Sequence, residues 1–203
     1  MHPSVVDALV PFNSPLEGCV PWLYQDVKGL VTCAIGYLAD PMSEAMVLPW
    51  TRIDGSPATQ AEIATAWLAV KGDPYLAQQG HRPAARLTTI RLSHEGIAEC
   101  TKRKADAFER ALIGRFPEWD TWPADAQLAT LALAWACGAS FRFPKLQAAL
   151  LAQNWPDASW ECTIDASGNP GIIARNREMR RCYNYAQESV DNGSPIEDLY
   201  WMA

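Results

Sequence analysis

Apolar residues recur at helical spacing over most of the chain and at strand spacing over one stretch near its start. Residues 4–10 predict a short helix ended by Pro11, and Ser14 restarts a helix through about Gly18. Tyr24 to Leu38 predicts a β-hairpin or small sheet turning at Val27-Lys28-Gly29. There Leu30, Thr32 and Ala34 alternate with Val31, Cys33 and Ile35. Thr59-Gln60-Ala61-Glu62 is a capping box opening a helix through about Val70, with Ile63, Trp67 and Val70 on one face. Ser93 caps a helix over 94–113, amphipathic through Ile97, Cys100, Ala107, Ala111 and Leu112. Pro123 opens a helix to Cys137 that is apolar on nearly all sides and predicts the buried centre of a larger helical part. Helices over 143–153, 155–163 and 172–189 follow. The predicted class is α+β, predominantly helical.

Between 39 and 93 the chain reads as an insertion or extended connection, punctuated by Asp40-Pro41, Leu48-Pro49-Trp50 and Asp54-Gly55-Ser56-Pro57. Trp50 and Trp67 there are candidate stacking surfaces, with burial in the added element the commoner use of such side chains. Arg175, Arg177, Arg180 and Arg181 form a basic cluster that reads as a solvated or ion-paired helix face before a substrate site. Leu199-Tyr200-Trp201 is expected to dock on the surface.

A chain of 203 residues, 49% hydrophobic and 20% charged, suits one folded domain with room for two lobes and argues against disorder. No apolar run is long enough to span a membrane, so no membrane insertion is expected. The first residues, MHPSVVDALVPFNSP, lack a basic region followed by a long apolar stretch, so no secretory signal is expected. A net charge of −6 disfavours nucleic acid as a partner. The six cysteines form no C-x-x-C pair and the three histidines lie at no zinc-ligand spacing, so no metal is expected and free buried thiols are. Cys137 reads as core.

Chemistry concentrates in LEGCVPWLYQDVKGLVTCAIGYL, where Asp26 follows Glu17 by nine residues and Thr32 follows Asp26 by six. Two carboxylates and a hydroxyl suffice to hydrolyse a glycosidic bond: one acid protonates the leaving oxygen, a second carboxylate positions water, and the hydroxyl holds that water. Each residue also has a purely structural use. Ser14-Pro15-Leu16-Glu17 fits a capping box, Asp26 a turn carboxylate before Lys28-Gly29, and Thr32 an ordinary strand position.

This segment resembles the phage-type lysozymes and endolysins of glycoside hydrolase family 24, through Glu17-Gly18, Tyr24-Gln25-Asp26, Gly29 and Thr32-x-x-Ile35-Gly36. Three later stretches are similar to family segments in the same order: Leu92-Ser93 with 105–109, then 127–138, then 170–178. The chain departs from the family at Tyr37, where His is usual, and at Ala136, where Asn or Gln is common. The resemblance implies a lysozyme-like two-lobed domain over 1–203, with a small sheet lobe (about 14–60, insertion about 39–93) and a helical lobe (about 94–190).

It also implies a cofactor-free, monomeric N-acetylmuramidase acting on peptidoglycan glycan strands, with inversion at the anomeric carbon. Glu17 would be the general acid, Asp26 the charge-stabilising and water-orienting carboxylate, and Thr32 the water-binding hydroxyl. Leu38 matches a cleft-wall position and Trp135 an aromatic one, and Tyr37 beside Leu38 is expected to bind substrate with them. Leu16, Val20 and Trp22 are the expected apolar neighbours of Glu17, which with Asp26 is expected to form opposite walls of a cleft. Action in the periplasm or cell wall would need delivery by a holin, a secretion machine or a larger polypeptide. An antibacterial effector would further need an immunity protein in its producer. Lytic transglycosylase, chitin-type hydrolysis and a non-catalytic peptidoglycan-binding module are the alternatives.

Overall fold

The computed structural model describes residues 1–202. In chain order the elements are α1 (Pro3–Glu17), β1 (Val20–Gln25), β2 (Val31–Ala34), β3 (Tyr37–Leu38), α2 (Met42–Met46), β4 (Trp50–Arg52), α3 (Gln60–Lys71) and β5 (Ile90–Leu92). Then follow α4 (His94–Ile113), α5 (Ala124–Cys137), α6 (Pro144–Leu151), α7 (Trp155–Glu161) and α8 (Pro170–Asn192). The class is α+β: eight α-helices and two small antiparallel sheets among the described residues. The chain divides into two units, residues 17–103 and residues 1–16 with 104–203.

In the first unit the sheet order is β1-β2-β3, with Tyr24 opposite Thr32 and Thr32 opposite Leu38. All four residues of β2 are buried, so the expected alternation of burial is lost on this central strand. Residues 39–93 are not a loose connection. The helix α3 has the expected capping box, with both reciprocal Thr59–Glu62 bonds formed, and β4 pairs with β5. Trp50 and Trp67 are buried, their indole nitrogens donating to the carbonyls of Ala45 and Ala39 at 2.9 and 2.8 Å, so neither is a stacking surface. The buried Gln25 ties β1 to the end of α3 through its amide, 2.7 Å from the Val70 carbonyl.

In the second unit, α5 buries all but its last two residues. Its polar side chains are paired: Gln127 donates to the Trp119 carbonyl at 2.9 Å, and Thr130 meets the Tyr183 hydroxyl at 2.8 Å. Burying polar groups is tolerable only with such partners. Arg175 corrects the expected solvated basic face, being 1% exposed and donating to the Ala132 carbonyl at 2.8 Å. Cys137 is exposed rather than core, because α5 ends there; all six cysteines are free thiols, four of them buried.

The helix α1 also departs from expectation. It runs unbroken through Pro11 and Pro15, and Ser14 lies inside it rather than at its start. Val5, Ala8, Leu9 and Phe12 are buried at helical spacing, whereas both prolines are exposed. The carbonyls deprived of an N–H partner therefore face water, and apolar burial offsets the proline cost of about 3 kcal/mol each.

The C-terminal tail docks as expected, and onto a charge. The backbone N–H groups of Tyr200 and Trp201 donate to the two oxygens of Asp125 at 2.9 and 3.0 Å. Burial pushes the Asp125 carboxyl up to about 6, against the downward pull of those two bonds. A carboxyl raised on folding adds stability that is full below its unfolded value of about 4 and lost as pH rises through about 6. Thermal unfolding should therefore show a gain of order 2–3 kcal/mol between pH 7 and pH 4 from this group. Asp125→Asn should remove that slope and also weaken the tail, since an amide offers one oxygen to two N–H donors. An unchanged pH slope in Asp125→Asn would contradict this.

Candidate active site

Glu17 is the last residue of α1. Gly18 follows with φ +78°, a left-handed conformation that suits glycine, and turns the chain into β1. Glu17 is thus held at a helix end and is exposed. The capping-box geometry expected for it does not form, because its helix starts at Pro3. Trp22 does not enclose it either. That indole packs on the His81 ring at 5.5 Å and under the Arg91 guanidinium at 5.5 Å.

Asp26 sits at the β1–β2 turn. Its Oδ1 accepts the N–H groups of Lys28 and Leu30 at 2.8 and 2.9 Å, and Gly29 (φ +74°) closes the turn with an N–H bond to the Asp26 carbonyl at 2.9 Å. Both of its expected uses are therefore compatible. One oxygen shapes the turn, and Oδ2 makes no hydrogen bond among the described residues.

Glu17 and Asp26 line one cavity of about 450 Å³. Tyr24 lies between them in sequence and lines it too. Burial, then the charges of Cys33, Asp26 and Glu17, push its phenol up to about 12, so it stays a neutral O–H donor at physiological pH. The stretch from Gly18 to Val27 supplies further lining, and the inserted segment contributes Ala77, Gln78, Gly80 and His81. That segment is pinned to β1: Trp22 Nε1 donates to the His81 carbonyl at 2.9 Å, and the Tyr24 and His81 rings meet edge-on at 6.1 Å.

Thr32 faces the same side of the sheet as Tyr24, since directly paired antiparallel residues share a face. It is 5% exposed, donates to the Leu30 carbonyl at 3.2 Å, and is not among the cavity-lining residues. Its lone pairs are left as acceptors. Leu38 continues that row across β3 and is half exposed. Tyr37, the next residue along the strand, points to the opposite face, where its hydroxyl donates to Glu44 at 3.2 Å.

Trp135 belongs to the helical unit. It is buried against Phe108 at 5.8 Å and under the Lys104 ammonium at 4.3 Å, which is a packing role. The chain matches no family model and no curated protein. Among the described residues no three His, Cys, Asp or Glu side chains converge as metal ligands, and no helix is long and apolar enough to cross a membrane.

Tyr24, Gln78 and His81 were not singled out as functional from sequence. Tyr24 is legible as the strand residue two before Asp26 in the Tyr24-Gln25-Asp26 run. Gln78 ends a short 3-10 helix over Leu76–Gln78 and His81 lies in the bend after it, in a stretch of sequence without periodic signal.

Proposed function

We propose that the chain is a peptidoglycan N-acetylmuramidase that hydrolyses the β-1,4 bond between N-acetylmuramic acid and N-acetylglucosamine. The observation that carries this reading is the shared cavity of Glu17 and Asp26, with Asp26 Oδ2 unengaged. The resemblance of this segment to the phage-type lysozymes supplies the substrate class. A lysozyme-like arrangement of a sheet-bearing lobe and a helical lobe is the fold that goes with it.

In this mechanism the Glu17 carboxylic acid protonates the glycosidic oxygen as the bond to the anomeric carbon breaks. Asp26 Oδ2 faces the positive charge that develops on the sugar ring and orients the attacking water, which loses its proton to that carboxylate. The neutral Tyr24 phenol donates to a sugar oxygen, whereas Thr32, outside the cavity lining, takes no part in this step. Gln78 and His81 line the same cavity and contact the glycan. The product has a free reducing end on muramic acid. Mass spectrometry of digested sacculi tests this, because a lytic transglycosylase would leave 1,6-anhydro ends and a binding module would release nothing.

The site of action is the bacterial wall or periplasm, reached by export or injection, with delivery machinery or an immunity protein as further partners. The charge of −6 adds a prediction. Walls rich in anionic polymers should be lysed more slowly than thin peptidoglycan at low salt, with the gap narrowing as salt screens the repulsion. Turbidity loss measured on both wall types checks it; equal rates at low salt would count against it.

A further inference from the structure

Of the nine tryptophans, eight are buried or half buried, whereas Trp160 is 69% exposed. A tryptophan left in solvent stands out in a chain that packs its other eight, although Tyr75 is exposed as well, at 71%. The Trp160 ring is nevertheless held in place. The Arg180 guanidinium lies 5.1 Å from its centroid, and Arg180 is itself fixed by bonds to the Ser159 carbonyl at 3.2 Å and Thr163 Oγ1 at 3.3 Å.

The ring borders a surface cavity of about 400 Å³, whose other walls are Pro156, Ser159, Arg180, Asn184, Gln187 and Glu188. Asn184 and Glu188 lie one helical turn apart on α8, and their side chains make no hydrogen bond among the described residues. Gln187 commits its amide nitrogen to Asp191 at 2.7 Å, which leaves its carbonyl oxygen as an acceptor.

The composition selects the ligand. A protein-docking hot spot surrounds its aromatic anchor with other apolar side chains, and here Pro156 is the only other apolar residue. Nucleic acid would meet Glu188 and an acidic chain. A pyranose presents a face of weakly positive C–H groups, suited to the negative face of an indole, and a rim of hydroxyls that need donors and acceptors together. Asn184 offers both, Arg180 donates, and Gln187 and Glu188 accept.

We infer that this cavity is a second, non-catalytic glycan site that stacks a pyranose of a β-linked amino-sugar strand on Trp160. The identity of the strand rests on the muramidase reading; the pyranose site itself does not. None of its lining residues lines the Glu17–Asp26 cavity.

The test uses the full chain carrying Glu17→Gln, so that glycan is not consumed, with tetra-N-acetylchitotetraose and purified sacculi as probes. The Trp160 indole N–H resonance should shift on titration with the tetrasaccharide. Adding Trp160→Ala should weaken sacculus binding at least about fivefold, with an unchanged unfolding midpoint. An unmoved resonance together with undiminished sacculus binding overturns the inference, as does a Trp160→Ala effect on self-association instead of glycan binding. Trp160-dependent binding in a chain whose parent form releases no muropeptides would leave this site standing and remove the muramidase reading. Muropeptide release with Trp160-independent binding would do the reverse.

Discussion

Glu17→Gln is expected to stop muropeptide release from purified peptidoglycan, a loss of about 10²–10⁴-fold or more in rate. The reason is specific to the proton. Glutamine keeps the size of the side chain and its place at the end of α1, but it cannot transfer a proton to the leaving oxygen. Glu17 is exposed and ends its helix just before Gly18, so its replacement should leave unfolding free energy within about 0.5 kcal/mol of the parent. Sacculus binding should persist, because binding and proton transfer use different atoms. A Glu17→Gln protein that folds, binds and still cuts at the parent rate would remove Glu17 as the acid.

Asp26→Asn is the second large effect and the more discriminating one. The amide oxygen can still accept the N–H groups of Lys28 and Leu30, so the β1–β2 turn should survive. What changes is the other atom: Oδ2, unengaged in the fold, becomes an NH₂ group that can neither take a proton nor face a developing positive charge. Activity should fall on the order of 10²-fold or more with little change in stability. Asp26→Ala removes the turn acceptor as well and should cost about 1–3 kcal/mol of stability in addition. Comparison of the two variants by steady-state release and thermal unfolding separates the structural oxygen from the chemical one. Equal stability loss with preserved activity in both would make Asp26 a turn residue only.

Features encoded within a few residues were legible in the sequence. The Thr59–Glu62 capping box, the helix start after Ser93 and the buried α5 from Pro123 onward all form as the local pattern predicts. Features decided by distant partners were not. The helix α1 survives Pro11 and Pro15 because Val5, Ala8, Leu9 and Phe12 are buried together, a tertiary gain that overrides local propensity. Arg175 is buried because the Ala132 carbonyl, 43 residues away, receives it.

The same division runs through the candidate site. The spacing of Glu17 and Asp26 brings both to one cavity. The lining from Ala77 to His81 comes from an aperiodic stretch of sequence, and its position is fixed by long-range contacts such as the Trp22–His81 bond across 59 residues. Tyr37 is expected to bind substrate, yet its hydroxyl donates to Glu44 on α2.

The central claim is that Glu17 donates the proton that breaks a glycosidic bond in the wall polymer. It is tested most directly by mass spectrometry of purified peptidoglycan incubated with the parent chain and with Glu17→Gln. Fragments ending in reducing N-acetylmuramic acid from the parent, and none from the variant, are the predicted result. No fragments from the parent, or the same fragments at the same rate from both, would contradict it.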